Sequence, residues 1–255
     1  MASWIFLRGL TREAGHWGHF VGQFQQAMPA DSVALLDLPG NGALNQHLSP
    51  CRVQDMVVHC RAQLTQRMLE PPYHVLAMSL GAMVSVCWAH LHPQEVAAQV
   101  LINTSMRPFN PFYQRLLPAN YRTLLHLALL GASPQAWERA ILRMTSNHGD
   151  ASTVQTWLTL RQAHPVTRSN ALRQLLAAAR FHAPQNRPET PTLLLASVHD
   201  HLVSAECSRT LAKRWSCDLR THPSAGHDLP LDDGPWVAAQ VRCWLSQSHR
   251  EDHTA

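Results

Sequence analysis

The chain has 255 residues, of which 45% are hydrophobic and 15% charged, and its formal net charge is +4. This length and composition are typical of one large globular domain and exclude a disordered or low-complexity protein. Its six cysteines are scattered without C-x-x-C pairs. That distribution favours reduced thiols in a cytoplasmic protein over a disulfide framework or a zinc site.

Two further features bear on location. Residues 1–8 contain neither a basic segment nor a long apolar leader, so no signal peptide is expected. The longest uncharged stretch, residues 71–91, is long enough to raise the question of a membrane span. It divides into a strand pattern and a helix pattern, so we expect a buried core and no membrane span.

Six short apolar runs, each ended by turn residues, predict buried strands over residues 4–7, 32–38, 74–77, 100–103, 192–196 and 217–221. Helical spacing predicts helices over residues 17–28, 53–69, 80–92, 205–215 and 236–245. Strands that alternate with helices in this way indicate a mostly parallel, doubly wound sheet covered on both faces.

The alternation stops between Thr104 and about Pro188, where helices are predicted over residues 121–130, 135–144, 153–163 and 169–180. A helical insert of this kind forms a cap over the carboxyl ends of the strands, where α/β sheets bind ligands. We therefore expect a core domain made of residues 1–104 and 189–255, with an all-helical cap over residues 105–188.

The most informative stretch runs from Val75 to Ala82, where Ser79 separates a strand pattern from a helix pattern. A serine at a sharp strand-to-helix turn, followed two residues later by Gly81, forms a nucleophile elbow that lifts the hydroxyl above the sheet. Here the motif is A-x-S-x-G, because Ala77 stands where the first glycine is usual. The alternative is an ordinary serine at such a junction.

A nucleophilic serine needs a base to take its proton and an acid to orient that base. Asp200 follows the strand pattern at 192–196, and His227 lies in a small-residue loop after the last strand. The oxyanion hole would use the amide after the nucleophile and one from the loop after the first strand, which are those of Leu80 and Leu10. Asp228 is a second candidate acid, but it is poorly placed to hold the far nitrogen of the adjacent histidine.

These stretches resemble the α/β-hydrolase superfamily over nearly the whole chain. Within it, the chain is similar to small bacterial carboxylesterases with a helical lid, such as the pimeloyl-[acyl-carrier-protein] methyl ester esterases. The matching segments are residues 6–10, 36–42, 77–81, 200 and 226–227. Two residues depart from the pattern: Arg8 replaces the usual histidine before Gly9, and Ser197 replaces a glycine before the acid.

The predicted function is therefore a serine hydrolase that cleaves a carboxylic ester or thioester through Ser79, His227 and Asp200. A thioesterase or acyltransferase acting on acyl-carrier or coenzyme A substrates is the near alternative, and a non-hydrolytic lyase of the same fold is another. Met78 is expected to line the pocket, and Phe109, Phe112 and Tyr113 either wall an acyl site or pack the lid.

Neither a cofactor nor a metal is expected. The pairs His199/His201 and His90/His92 have metal-ligand spacing, but no glutamate stands at zinc-protease spacing. The predicted cap carries ten arginines and two acidic residues between positions 105 and 187, a net charge of +8, so the remainder carries −4. Such a surface suits coenzyme A or an acyl carrier protein. Solvation of the lid helices explains it equally well, and nucleic acid is not favoured.

Overall fold

The computed structural model describes residues 1–129 and 132–251 and contains a six-stranded, fully parallel sheet. The strands lie in the spatial order β2-β1-β3-β4-β5-β6. They are β1 (Ser3–Leu7), β2 (Ser32–Leu36), β3 (Tyr73–Met78), β4 (Val96–Ile102), β5 (Thr192–Ser197) and β6 (Asp218–His222). All six predicted strands are present, and β4 begins four residues earlier than expected because residues 96–99 also pair with β3 and β5.

The sheet is covered on both faces. Within β1, Trp4 and Phe6 point into one core, and Ile5 and Leu7 point into the other, as alternation along a strand requires. The first core includes helices α1 (Phe20–Ala27) and α10 (Leu229–Glu251); the second includes α2 (Val53–Gln66), α3 (Leu80–Leu91) and α9 (Glu206–Trp215). The α/β fold class predicted from the sequence is confirmed.

The predicted helix over residues 17–28 is divided, because a short 3-10 turn at Ala14–Trp17 precedes α1. The last helix is longer than expected and is kinked at Asp233, just before Pro235. Among the described residues, no helix is both long and apolar enough to cross a membrane.

The described part of the segment between β4 and β5 contains five helices and no strand. They are α4 (Phe112–Arg115), α5 (Tyr121–Leu129), α6 (Pro134–Thr145), α7 (Ala151–Ala163) and α8 (Arg168–Arg180). The sequence did not predict α4, which has only four residues. The last residue of the predicted helix 121–130 lies outside the described residues. The limits proposed for the core and cap domains stay a prediction.

Helix α8 has an unusual distribution of side chains. Asn170 and Gln174 are buried together with Ala177, whereas leucines such as Leu172 (66% exposed) and Leu175 (50% exposed) face outward. Hydrophobic periodicity alone would place the leucines inside. The buried amides hydrogen-bond to the segment between β2 and α2, so this helix contacts the rest of the protein through polar groups as well as through Ala177.

Candidate active site

Ser79 lies at the sharp turn between β3 and α3. Its backbone has φ 53° and ψ −114°, a conformation that costs a non-glycine residue about 1–3 kcal/mol and persists only where the surroundings enforce it. The Ser79 amide donates to Ile102 O (3.1 Å), and the Ala82 amide donates to Ser79 O (3.1 Å). The turn is therefore held by the end of the neighbouring strand β4 and by the first turn of α3.

The loop after β1 lies directly against this serine. A Cβ built on Gly9 would be 3.1 Å from Ser79 Cβ and 3.7 Å from Ser79 Oγ. A Cβ on Gly81 would be 2.5 Å from Leu7 O and 2.7 Å from Arg8 O, both backbone atoms. Only glycine at position 81 permits this approach, which brings the segment carrying Leu10 next to the elbow and the first turn of α3, where Leu80 lies.

Asp200 and His227 form a buried pair at the ends of two strands. Asp200 Oδ2 lies 2.7 Å from His227 Nδ1, and Asp200 and His227 are 7% and 3% exposed. The other carboxylate oxygen accepts hydrogen bonds from the amides of Leu202 (2.8 Å) and Val203 (2.9 Å). The two backbone amides therefore fix the orientation of the carboxylate. The carboxylate holds Nδ1 of the imidazole, and Nε2 lies on the opposite side of the ring.

Asn103 connects these parts, although sequence analysis assigned it no role. Its Nδ2 donates to His227 O (2.8 Å) and to Ser197 Oγ (3.0 Å), and its Oδ1 accepts from the Ser197 amide (2.8 Å). It directly follows Ile102, which bonds the Ser79 amide. Two consecutive residues at the end of β4 therefore hold these two backbones: Ile102 bonds that of Ser79, and Asn103 bonds that of His227.

Arg8 and Asp228 form a buried ion pair with two contacts. Arg8 Nη1 donates to Asp228 Oδ1 (3.0 Å), and Nη2 donates to Oδ2 (2.5 Å). Arg8 is 3% exposed and Asp228 is 2% exposed. Both oxygens of Asp228 thus face Arg8, whereas Asp200 contacts the histidine. The departure at position 8 therefore has a partner 220 residues away.

A second buried polar group follows in the same loop. Arg12 Nη1 donates to Glu138 Oε2 of α6 (2.8 Å), and its guanidinium lies 4.1 Å from the ring centroid of Trp157 of α7. Burial, followed by the charges of Arg12 and Arg8, lowers the pKa of the neighbouring His16 well below 6.5. His16 is therefore neutral at physiological pH. Through Arg12, the loop after β1 contacts two helices of the β4–β5 segment, α6 and α7.

The residues predicted to bind substrate are dispersed. Met78 is buried at the end of β3, and Phe109 packs edge-on against Trp215 with ring centroids 5.8 Å apart. Phe112 and Tyr113 contact each other on α4 and are 71% and 50% exposed. Within the part of the chain that the structure describes, no hydrogen bond or ring contact joins these four side chains to Ser79, so their role in binding stays a prediction.

The histidine pairs weighed as metal ligands do not assemble a larger cluster. In the part of the chain that the structure describes, no group of three or more histidine, cysteine, aspartate or glutamate side chains is placed to hold a metal ion. Several arginines of the predicted cap bond within the protein: Arg161 with Glu138, Arg173 with Ser49 O, and Arg115 with Ala178 O.

Comparisons with known proteins agree with this architecture. The chain is similar to a candidate lipase from Acinetobacter baumannii, with 19% identity, a TM-score of 0.77 and coverage of 98% of this chain and 85% of that chain. It is also similar to a thermophilic esterase from Thermogutta terrifontis, with 17% identity, a TM-score of 0.74 and coverage of 98% and 91%.

A candidate non-heme bromoperoxidase from Mycobacterium tuberculosis is 21% identical, with a TM-score of 0.74 and coverage of 96% of this chain and 92% of that chain. No functionally curated protein matches the chain. The sequence model of the alpha/beta hydrolase family matches residues 4–240, which is almost the whole chain. This protein therefore belongs to the α/β-hydrolase family.

Proposed function

We propose that the protein is a serine hydrolase that cleaves a carboxylic ester or thioester through an acyl-enzyme intermediate, with Ser79 as nucleophile, His227 as base and Asp200 as the acid that orients the base. The observation that carries this proposal is the buried 2.7 Å contact between His227 and Asp200, and the strained Ser79 turn is bonded to the same strand end as the His227 backbone. A serine alone or a histidine pair alone would not support it.

The chemistry follows from the roles of these atoms. His227 Nε2 takes the Oγ proton as Oγ attacks the substrate carbonyl carbon, and the imidazolium that forms is stabilised by the Asp200 carboxylate. The amides of Leu10 and Leu80 stabilise the negative oxygen of the tetrahedral intermediate, and each such donor is worth about 3 kcal/mol. His227 then gives its proton to the leaving alcohol or thiol, and a water molecule repeats the sequence to release the acid.

The proposed residues and their roles are the same for several leaving groups. A thioesterase or acyltransferase would use the same nucleophile, base and oxyanion donors, and would differ only in the leaving group or the acceptor. Carboxylesterase is preferred because two of the solved structures with this fold are described as an esterase and a candidate lipase. Exposed arginines of the β4–β5 segment, such as Arg139 and Arg143, favour coenzyme A or an acyl carrier protein as alternative partners.

The test is hydrolysis of nitrophenyl esters and of acyl-coenzyme A thioesters of increasing chain length by the wild type and by Ser79→Ala. We expect the substitution to lower kcat by about 10⁴-fold or more. A fluorophosphonate should add its phosphoryl group to the wild-type chain, and peptide mass spectrometry should locate that adduct on Ser79.

Ser85→Ala is the matched control, because Ser85 is a buried serine of the same helix whose Oγ donates to Gln99 (2.9 Å) at the opposite end of the sheet. It should leave kcat within twofold. Turnover that survives in Ser79→Ala, or a folded wild type that neither hydrolyses these substrates nor becomes labelled, would overturn the proposal.

A further inference from the structure

The amide of Leu10 can stabilise an oxyanion only if the loop that carries it keeps one conformation. That loop turns sharply, because Thr11, the next residue, has φ 57°. A β-branched residue in this left-handed region is strained and returns to an extended conformation unless other contacts prevent it. The contacts that hold the loop on either side of Leu10 therefore determine where its N–H points.

One contact lies two residues before Leu10. The Arg8 guanidinium meets both oxygens of Asp228, and the backbone amide of Asp228 donates to Thr145 O (2.5 Å) at the end of α6. Because Asp228 directly follows His227, the ion pair joins the loop carrying Leu10 to the loop carrying the base. Arginine meets a carboxylate in a planar, two-contact geometry, which fixes orientation as well as distance.

The other contact lies one residue after Leu10 and comes from helix α8. Gln174 Oε1 accepts the Thr11 amide (2.8 Å), and Gln174 Nε2 donates to Asn41 Oδ1 (2.8 Å) and Ser49 Oγ (3.0 Å). Gln174 is fully buried. Its side-chain amide therefore bridges the strained residue to two positions in the segment between β2 and α2, and its own rotation is fixed by all three bonds.

We propose that the Arg8–Asp228 pair and Gln174 are positioning residues that together aim the Leu10 amide at the substrate oxygen, one from each side of the residue. This inference rests on the proposed serine-hydrolase function and deepens it. It gives a reason for arginine at position 8 and for a buried amide on α8, where periodicity would place a leucine. Neither side chain takes part in proton transfer.

The expected effect falls on the chemical step. A misdirected donor weakens stabilisation of the tetrahedral intermediate and leaves ground-state binding nearly unchanged, so kcat falls and KM does not. Removing one oxyanion donor outright costs about 10²–10³-fold. We expect Arg8→Gln and Gln174→Leu each to lower kcat by about 10–100-fold. Because both act on one amide, the double variant should lose less than the product of the two effects.

The experiment compares Arg8→Gln, Gln174→Leu and the conservative Gln174→Glu, which keeps an acceptor for the Thr11 amide. Three readouts are used: kcat and KM on the best ester, the inhibition constant of an alkyl boronic acid against that of the product carboxylate, and hydrogen exchange of the Thr11 amide. Boronic acid forms a tetrahedral adduct that needs the oxyanion donors, whereas the product does not.

The controls are matched variants at the opposite end of the sheet. Arg61→Gln breaks the two-contact Arg61–Glu95 pair, and Gln99→Leu removes a fully buried amide that bridges Ser85 and Thr192. Both should leave kcat within twofold. If Arg8→Gln fails to fold because Asp228 is left buried and unpaired, the neutral double variant Arg8→Gln/Asp228→Asn takes its place.

The proposal is supported if the variants lose kcat and boronate affinity in parallel, if Gln174→Glu recovers both, and if Gln174→Leu speeds exchange at Thr11. It is overturned if they lose thermal stability alone, as the controls do, or if boronate and product affinities fall together. The exchange readout needs no turnover, so slow exchange at Thr11 in Gln174→Leu overturns this proposal even if no substrate is hydrolysed. Failure of Ser79 to react contradicts only the proposed function.

Discussion

The two ends of the parallel sheet both bury polar side chains, but these side chains connect different parts of the chain. At the carboxyl ends of the strands, Arg8 meets Asp228, and Asn103 meets His227 across 124 residues. The pairs at this end join loops that follow different strands, and the Ser79 amide bonds Ile102 O at the same end of β4.

The amino end has a cleft of about 320 Å³ whose lining includes Arg61, Tyr73, Trp88 and Glu95. Its polar atoms meet one another: Arg61 Nη2 lies 2.6 Å from Glu95 Oε1, and Trp88 Nε1 donates to Glu95 Oε2 (2.8 Å). Farther into the sheet, Ser85, Gln99 and Thr192 form a chain of hydrogen bonds that ends at Thr190 O.

The difference between the two ends concerns what the polar groups hold. The amino-end groups join one helix to the neighbouring strand or turn, which is a stabilising role that any buried polar group needs. At the carboxyl end, Asp200 orients His227, and the backbones of Ser79 and Thr11 are strained. Backbone strain of this kind persists where function requires it. The presence of a cleft therefore does not by itself locate a reaction, and the strained and cross-linked loops support the proposed site at the carboxyl end.

The largest effect that separates the two ends is expected from Asp200→Asn. The amide cannot hold the correct imidazole tautomer or stabilise the imidazolium, so kcat should fall by about 10⁴-fold while the unfolding free energy changes little. At the amino end, Glu95→Gln should do the reverse and lower the unfolding free energy by about 1 kcal/mol with kcat unchanged, since its ion pair is partly exposed. Ester kinetics and urea unfolding measure both.

A second histidine–aspartate pair at the carboxyl end provides a matched control for this prediction. His222 Nε2 lies 3.1 Å from Asp233 Oδ2, and His222 Nδ1 accepts the Ala225 amide (2.9 Å). Asp233→Asn should leave kcat within twofold. If Asp233→Asn removes activity and Asp200→Asn does not, the roles assigned to the two pairs are wrong.

Much of this arrangement could be predicted from the sequence, because strands buried on both faces are continuous apolar runs and site residues follow their ends. Asp200 and His227 were found in that way, and the structure places their side chains in contact. Four of the five α-helices described between β4 and β5 were also predictable, since each has helical spacing between turn residues, whereas the four-residue α4 was not.

Other parts were not predictable, because a partner distant in sequence decides them. The sequence around Arg8 does not indicate that Asp228 is its partner. Asp228 was considered only as an alternative acid for the histidine. Gln174 and Asn170 face inward on α8, contrary to the hydrophobic pattern, because the loops they meet offer backbone and amide groups. Asn103 offers no carboxylate, which is why its role in holding His227 was missed. Tertiary hydrogen bonding overrides local pattern at each of these positions.

The next largest effect concerns the close packing of the elbow, and it compares two glycines. A Cβ at Gly81 would meet backbone oxygens of the β1 loop at 2.5 and 2.7 Å, so Gly81→Ala has to displace β1 or α3. We expect it to lower the unfolding free energy by about 2–3 kcal/mol and to reduce kcat as well. Thermal unfolding and ester kinetics measure the two effects.

Gly22, exposed within α1, is the contrasting position, because a Cβ there would have no heavy atom within 4 Å. Gly22→Ala should raise the unfolding free energy by about 0.5–1 kcal/mol through helix propensity and leave kcat unchanged. A Gly81→Ala variant as stable and active as the wild type would show that β1 and α3 do not need their present separation.

The smallest expected effect is a difference between the two ends in how the unfolding free energy depends on pH. Hydrogen bonds from Arg61 and Trp88 lower the pKa of Glu95 below 4.5, although desolvation, the largest single cause, acts in the opposite direction. A carboxylate with a lowered pKa loses its contribution to stability only as the pH falls below about 4.5. Glu95 therefore contributes almost nothing to acid sensitivity between pH 7.5 and 5.5.

His16, beside the loop that carries Leu10, has the opposite pH behaviour. Burial, followed by the positive charges of Arg12 and Arg8, lowers the pKa of His16, so protonation of its ring is unfavourable in the folded protein. Because the folded pKa lies well below the ordinary value of 6.5, the unfolded chain binds the extra proton first as the pH falls. Stability is complete above pH 6.5 and decreases below it.

Between pH 7.5 and 5.5 this single histidine should lower the unfolding free energy of the wild type by up to about 1.4 kcal/mol, and His16→Gln should remove that part of the dependence. Urea unfolding of both proteins at three pH values in this range gives the difference directly, and all titrations that they share cancel. Parallel stability curves would mean that His16 is protonated in the folded protein at pH 5.5. In that case the loop after β1 tolerates a third positive charge in addition to those of Arg8 and Arg12, and its polar contacts are looser than those at the amino end.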